Sequence, residues 1–197
     1  MNDPVTISDL PSRRPQRADA RRNREKLLSV ARDVFAEDGA AATLDDIARR
    51  AQVGPATLYR HFPTRQHLLE AVYVDEVEAI SHAAADLADL PPWDALEQWL
   101  REFVGFAATK RALAQEMLAY VDRDAEVFRA CREAIEAAGN GLLARAQQAG
   151  IVRPDAVFTD IGRLLGGIAG IRGVEPEEVD RLLDIILDGL RYQPPTA

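Results

Sequence analysis

The side chains best suited to contacting a nucleic acid lie in one short segment near the end of the first third of the chain. Arg60 can read guanine or pair with a phosphate, Thr57 can hydrogen-bond a base or touch a thymine methyl group, and Tyr59 can reach a phosphate. Leu58 and Phe62 are about one helical turn apart, so they would hold the other side of the same helix against a core. The pattern therefore predicts a short helix with one polar face available to DNA.

Two helices joined by a tight turn are predicted to position these side chains. Thr43 can cap the first helix, with Asp46 as the other half of a capping box, and the run Gln52-Val53-Gly54 ends it. Pro55 then begins the second helix at a position where its missing N–H costs nothing. This is a helix-turn-helix arrangement, in which the second helix enters the major groove. The spacing alone fits an ordinary helical hairpin with a polar exposed face equally well.

The distribution of charge along the chain favours nucleic-acid binding at one end. The net charge is −8, but residues 1–62 hold 11 Lys and Arg against 9 Asp and Glu, whereas residues 63–197 hold 13 against 23. The positive side chains of the first part cluster at Arg13, Arg14, Arg17, Arg21, Arg22, Arg24, Lys26 and Arg32. A basic end on an acidic body suits a protein that meets phosphates with that end, although an arginine-rich tail can also be simply solvated.

The chain reads as three segments, and after the first of them it is helical almost throughout, without the alternation of β-strands. Residues 1–18 carry three prolines among polar residues and are predicted to form a flexible basic arm. Residues 19–65 form the predicted helix-turn-helix domain, whose first helix runs from about Asp19 to Asp38. Residues 66–197 form the predicted second domain.

Six helices are predicted in the second domain. A long fourth helix, capped by Thr64, is followed beyond Pro91-Pro92 by five more. Apolar residues between Leu96 and Ala107 mark the fifth, and those between Leu113 and Tyr120 mark a short, separate sixth. The expected fold is therefore all-α, with about nine helices.

Other classes of function find little support among the residue types. Cys131 is the single cysteine, which excludes an internal disulfide and a multi-cysteine zinc site. The histidines, His61, His67 and His82, show no metal-binding spacing, and no serine has the setting of a catalytic nucleophile. No apolar run is long enough for a signal peptide or a membrane helix. We therefore expect a cytoplasmic protein that is not an enzyme, needs no cofactor or metal and does not bind a membrane; the basic arm disfavours an adaptor that binds only protein.

Residues 23–73 resemble the N-terminal domain of the TetR/AcrR family of repressors. The resemblance rests on Ala31-x-x-Val34-Phe35, Gly39, Thr43-Leu44-x-x-Ile47-Ala48, Val53, Thr57-Leu58-Tyr59-Arg60-His61-Phe62 and Leu68-Leu69. It implies that Thr57, Tyr59 and His61 belong to a recognition helix and that Thr43 contacts the DNA backbone. Arg65 stands where the family usually has lysine and should keep a phosphate contact. With the residue chemistry, the expected DNA-binding set is Thr43, Pro55, Ala56, Thr57, Tyr59, Arg60, His61, Arg65, Arg21 and Arg22.

Residues 74–197 are similar to the C-terminal domain of the SbtR-like subgroup of that family, through Ala107-Ala108-Thr109-Lys110 and Leu164-Leu165-Gly166-Gly167. The resemblance implies a homodimer in which the last two helices of each subunit form a four-helix bundle. The expected interface comprises Leu164, Gly166, Ile168, Gly170, Leu183, Ile186 and Leu190. Gly166 and Gly170 would let two helices approach closely, although packing within one subunit explains them nearly as well.

A ligand pocket between the fourth and eighth helices is also implied, for a small-molecule effector that the sequence does not identify. Its candidate lining residues are His82, Trp99, Phe103, Phe106, Met117, Tyr120, Phe128 and Cys131. Any single one of them is more commonly a core residue, but His82 and Tyr120 stand out because a buried polar group needs a partner. We therefore expect a dimeric regulator that binds a double-stranded, palindromic DNA operator and is released by a small molecule; repression is expected, and the residues do not distinguish it from activation.

Overall fold

The computed structural model describes residues 13–120, 125–171, 173 and 175–191, and these residues are mostly helical. The helices, in chain order, are α1 (Arg13–Asp38), α2 (Leu44–Arg50), α3 (Pro55–His61), α4 (Arg65–Asp86), α5 (Pro92–Met117), α6 (Glu126–Gln148), α7 (Phe158–Ile168) and α8 (Pro176–Leu190). One 3₁₀ turn, Gly39–Ala41, follows α1. The described residues contain no β-strand beyond an isolated bridge between Val152 and Arg191, so the predicted all-α fold is confirmed.

Two compact units divide the chain between Leu68 and Leu69. The N-terminal unit contains α1, α2, α3 and the first residues of α4, and the C-terminal unit contains the rest of α4 and the remaining helices. In the part of the chain that the structure describes, no helix combines the length and the apolar character needed to cross a membrane.

The first helix begins six residues earlier than expected, at Arg13 instead of Asp19. Pro15 falls in the first turn of the helix, where backbone N–H groups lack intrahelical acceptors, so a proline there costs no hydrogen bond. The rest of the predicted arm, residues 1–12, lies outside the described residues. Its flexibility stays a prediction.

Eight α-helices are observed among the described residues instead of nine, because the expected fifth and sixth helices are one. Helix α5 continues from Pro92 to Met117 without interruption. The segment 107–113 contains neither glycine nor proline and consists mainly of Ala, Lys, Arg and Leu, which are strong helix formers. The gap in the apolar pattern therefore marks a half-exposed stretch of one helix, not a turn.

The N-terminal unit is built around the apolar side of α1, which contacts α2 and α3. Its core contains Leu27, Leu28, Ala31, Val34, Phe35, Ile47, Ala48 and Leu58. Between α2 and α3, within the run that was predicted to end α2, Gln52 has a φ of 55° and takes the left-handed position. The N–H of Val53 donates to the carbonyl of Ala48 (3.0 Å) and that of Gln52 to the carbonyl of Arg49 (3.2 Å), which is a Schellman motif. This turn sets the direction in which α3 leaves α2.

The C-terminal unit is built around α5, which contacts α6 and α7. Trp99 is fully buried, and its Nε1 donates to the backbone carbonyl of Ile80 at 2.8 Å. Its ring stacks on Phe103 at 5.3 Å and lies 5.5 Å from the ring of Phe158 on α7. Helices α6 and α7 approach closely at Gly139, where a Cβ atom would overlap the Phe158 ring. These aromatic contacts hold the three helices together.

Candidate nucleic-acid interface

Helix α3 has one buried side and one exposed polar side, as predicted. Leu58 is 0% exposed and Phe62, which follows the helix, is 4% exposed, whereas the side chain of Tyr59 is 45% exposed. Arg60 is also exposed, and among the described residues it makes no ion pair. Pro55 and Ala56 are exposed, and Thr57 and His61 are half-buried. The short helix thus presents its hydrogen-bonding groups outward while its apolar groups anchor it.

Two contacts orient α3 beyond the burial of Leu58. The guanidinium carbon of Arg24 on α1 lies 5.9 Å from the centre of the Phe62 ring. The Tyr59 hydroxyl donates to Oδ1 of Asp45 on α2 at 3.4 Å. The second contact is long, so the Tyr59 hydroxyl can exchange it for a phosphate oxygen at little cost.

Thr43 caps α2 as predicted, but the second half of the expected capping box does not form. The Thr43 hydroxyl oxygen accepts from the backbone N–H of Asp46 at 3.2 Å. The Asp46 carboxylate instead accepts from Arg49 and, at 2.7 Å, pairs with Nε of Arg50. The hydrogen bond from Arg49 lowers the pKa of Asp46. The hydroxyl hydrogen of Thr43 is not used by the cap, so it is available to a phosphate.

Arg50 makes a set of ion pairs that the sequence reasoning missed. Its guanidinium lies 2.8 Å from Glu37 and 3.4 Å from Asp38, which are both at the end of α1. It also pairs with Asp46 on α2. Two adjacent acids at the end of α1 and two adjacent arginines at the end of α2 were the available signal. These pairs fix the position of α2 relative to α1, although exposed pairs of this kind contribute little stability each.

Arg65, the expected phosphate contact at the start of α4, is engaged within the N-terminal unit. Its guanidinium donates to the backbone carbonyls of Ala42 and, at 2.7 Å, of Gly39. It also stacks over the Phe35 ring, 4.9 Å from the ring centre. These contacts hold the connection between α1 and α2. A phosphate contact by Arg65 stays a prediction.

We expect Arg65→Lys to lower the free energy of unfolding by about 2 kcal/mol, because an ammonium cannot reproduce the planar fork that reaches two carbonyls. Urea denaturation followed by circular dichroism measures the change. The matched control is Arg181→Lys, at an exposed arginine that donates to a single carbonyl, that of Glu177. Equal stabilities of the two variants would show that the Arg65 contacts contribute nothing in solution.

Arg21 and Arg22 lie exposed on α1, in the part of the chain where the positive side chains cluster. Arg21 lies 3.5 Å from Glu25, and Arg22 pairs with Asp19. Both are exposed pairs within one helix, which are weak and readily exchanged for a phosphate. The structure therefore leaves both arginines accessible.

Comparison with known proteins identifies this architecture. Residues 27–72 match the model of the bacterial regulatory proteins of the tetR family, and residues 91–192 match that of the transcriptional regulator SbtR-like C-terminal domain. The chain belongs to the TetR family. The resemblance seen in the sequence, including the subgroup, is thus confirmed.

Solved structures and curated relatives agree with this assignment. A TetR transcriptional regulator, SCO0520 from Streptomyces coelicolor, is 41% identical with a TM-score of 0.76, over 88% of this chain and 99% of that one. A TetR regulatory protein from Mycobacterium vanbaalenii is 39% identical with a TM-score of 0.76, over 90% and 100%. The regulator UidR of Escherichia coli K12 is 26% identical over 75% of this chain and 78% of its own. The TetR-family chain described here is accordingly a transcriptional regulator with a DNA-binding domain.

The expected pocket residues of the TetR C-terminal domain divide into three groups. Tyr120 is 48% exposed and His82 is also exposed, so neither is the buried polar group that was expected. Both lie near helix ends, where the apolar pattern no longer separates inside from outside. Trp99 and Met117 are fully buried, and Phe128 and Cys131 are buried as well, as core residues are. Phe103 and Phe106 are buried but border clefts that open to the surface.

The expected dimer residues also divide. Leu183 and Leu190 on α8 are 2% and 6% exposed, and Ile168 is 9% exposed, so these three are buried within the subunit. Leu164 is 55% exposed, and Ile186 is half-buried. Gly170 lies against the guanidinium of Arg111, the flexible end of an exposed side chain that can move away from a Cβ, whereas a Cβ at Gly166 would meet no atom within 4 Å. The apolar stripe of α8 has two sides: Leu183, Leu187 and Leu190 are buried in the core of the subunit, whereas Ile185 and Ile186 stay wholly or partly exposed.

Proposed function

We propose that this TetR-family regulator is a homodimeric repressor that binds a palindromic DNA operator through α3 and leaves it when a small molecule binds the C-terminal unit. The observation that carries the proposal is the exposed polar side of α3, with Tyr59 and Arg60 outward over buried Leu58. A helix held in this way can place side chains against base edges without disturbing its own unit. On this proposal the protein works in the cytoplasm, where the chromosome lies.

Exposed apolar residues on α7 and α8 support a dimer. Ile185 is 69% exposed and Leu164 55% exposed, and they are the two most exposed large apolar side chains among the described residues. A groove of about 320 Å³ between the two helices is lined in part by Leu164, Ile186 and Gly189. A Cβ atom at Gly189 would meet no atom within 4 Å, so a second copy of the helix pair can approach there.

A two-fold dimer would determine the form of the operator. Two copies related by a two-fold axis present their α3 helices in opposite directions, so the DNA sequence that they read is a palindrome. The spacing that fits both helices in successive major grooves is about 34–36 Å.

The test is selection of binding sites from a random DNA library, followed by footprinting and electrophoretic shift on the enriched sequence. We expect a palindromic footprint and binding about 10³-fold or more tighter than to a scrambled duplex of the same composition. A reporter gene placed behind the operator should be silenced by the protein. No enrichment would contradict operator binding, and stimulated transcription would show activation in place of repression.

A further inference from the structure

A half-open cleft in the C-terminal unit combines an apolar wall with an excess of positive charge. It has a volume of about 280 Å³ and lies between α5, α6 and α7. Its lining residues are Phe103, Lys110, Arg132, Ile135, Glu136, Phe158, Thr159, Gly162 and Arg163. The volume is roughly twice that of an engineered cavity that holds benzene. The cleft is thus large enough for a small organic molecule of one or two rings.

Lys110 is the distinctive residue of this cleft. It is one of only two lysines in a chain that otherwise uses arginine for its positive charges. Its side chain is half-buried on α5, with Nζ 5.8 Å from the centre of the Phe106 ring and 5.9 Å from that of Tyr73. Among the described residues, no carboxylate lies within 4 Å of it. Burial lowers the pKa of the Lys110 ammonium, so the charge has lost part of its hydration.

The neighbours of Lys110 offset its charge only in part. Burial raises the pKa of the Cys131 thiol above its ordinary value, and burial likewise raises that of the Tyr73 phenol, so both groups are uncharged at neutral pH. Glu136 is the one acid that lines the cleft, against Lys110, Arg132 and Arg163. Arg163 pairs with Asp160 at 3.3 Å. Among the residues that line the cleft, the two positive charges of Lys110 and Arg132 therefore exceed the one remaining negative charge, that of Glu136.

We propose that this cleft binds a small organic anion, a carboxylate carried on an aromatic or other flat apolar body, with Lys110 as the partner of the carboxylate. Phe103 and Phe158, which are 7% and 2% exposed, form the apolar floor of the cleft beneath the apolar body, and Arg132 adds positive charge at the exposed side. Burying a carboxylate next to a poorly solvated ammonium gives a strong charge-assisted hydrogen bond. The inference rests on the proposal that the C-terminal unit responds to a ligand, and it names the chemistry of that ligand.

The test is isothermal titration of the full-length protein with three carboxylates of increasing size, benzoate, 3-phenylpropanoate and 1-naphthoate, and with their neutral amides. We expect at least one carboxylate to bind 10-fold or more tighter than its amide. Lys110→Met should weaken that carboxylate by about 10- to 100-fold and change its amide less than 3-fold, whereas Lys110→Arg should keep the preference. The control is Lys26→Met, which removes the other lysine, exposed on α1, and should change nothing.

A second variant tests the position of the site without touching its charge. Gly162 lines the cleft, and a Cβ there would meet only Phe158, at an ordinary 3.8 Å. Gly162→Leu should therefore fold, since leucine is also the better helix former, and should block the carboxylate by filling the cleft. Three results would overturn the proposal. They are equal binding of acid and amide, wild-type affinity for the carboxylate in either Lys110→Met or Gly162→Leu, and no binding across the whole panel at millimolar concentration. Operator binding, measured separately, distinguishes such a failure from a failure of the proposed regulatory function.

Discussion

Replacing Arg60 with alanine is expected to weaken specific operator binding by about 1–3 kcal/mol for each half-site, without altering the fold of the N-terminal unit. The Arg60 side chain is exposed on α3 and has no ion-pair partner in the described part of the chain, so its loss removes no internal contact of that kind. Leu58, fully buried, keeps the helix in place. Fluorescence anisotropy of a labelled operator, repeated at several salt concentrations, measures both the affinity and its salt dependence.

Two companion variants of Tyr59 separate its ring from its hydroxyl. Tyr59→Ala should lose binding about as strongly as Arg60→Ala, and Tyr59→Phe should lose less, because only the hydroxyl contact is removed. Arg129→Ala is the matched control, since it removes an exposed arginine from α6, outside the proposed dimer interface. Unchanged operator affinity in both Arg60→Ala and Tyr59→Ala would contradict the assignment of α3 as the recognition helix.

Introducing a charge on the exposed side of α8 is expected to separate the subunits. In the proposed dimer, Ile185→Glu would bury two unpaired carboxylates near the two-fold axis, at a cost of about 3–5 kcal/mol each. Leu164→Glu, on α7, should act in the same way. Both residues are mostly exposed within the subunit, so the variants should keep the helix content of the wild type. Sedimentation at micromolar protein concentration should show a wild-type dimer and two monomeric variants.

The substituted residue must be exposed within the subunit, so that a change of charge affects the dimer and not the fold. Leu183, which the sequence suggested as an interface residue, is 2% exposed, so a glutamate there would unfold the subunit instead of dissociating the dimer. Ala137→Glu is the control, because it adds the same charge at an exposed alanine on α6. Monomers should also bind the operator far more weakly, since one half-site supplies only part of the contacts. A monomeric wild type, or an Ile185→Glu variant that stays dimeric, would exclude this arrangement of subunits.

Local sequence patterns were sufficient to locate the two helices of the helix-turn-helix segment. Thr43 as a cap, Pro55 at a helix start and the pair Leu58 and Phe62 each act within one or two turns of a helix, where the chain itself brings the interacting groups together. The prediction therefore placed the start of α3 correctly and its end to within one residue. The same reasoning separated the buried side of that helix from its exposed polar side.

Patterns of helical period were less informative where a residue's partner is distant in sequence. The guanidinium of Arg65 reaches carbonyls more than twenty residues earlier in the chain, and nothing near it in sequence indicates this. Lys110 was noted only as part of a family motif, because its isolation from carboxylates depends on where α4, α5 and α6 place their side chains. Both cases concern polar groups whose role depends on which donors and acceptors the fold brings near.

The sequence by itself determined that this chain is all-α, where α2 and α3 begin and which face of α3 is polar, because these features follow from the period of a helix and its end signals. Only the tertiary structure decided which apolar residues of α8 are buried in the subunit. The apolar stripe of α8 is wider than the surface that one neighbouring helix can cover. The helix could therefore pack any part of the stripe against its own core. Leu183 and Leu187 are buried in the subunit and Ile185 is exposed, and that selection depends on the surfaces of neighbouring helices, which no local pattern encodes.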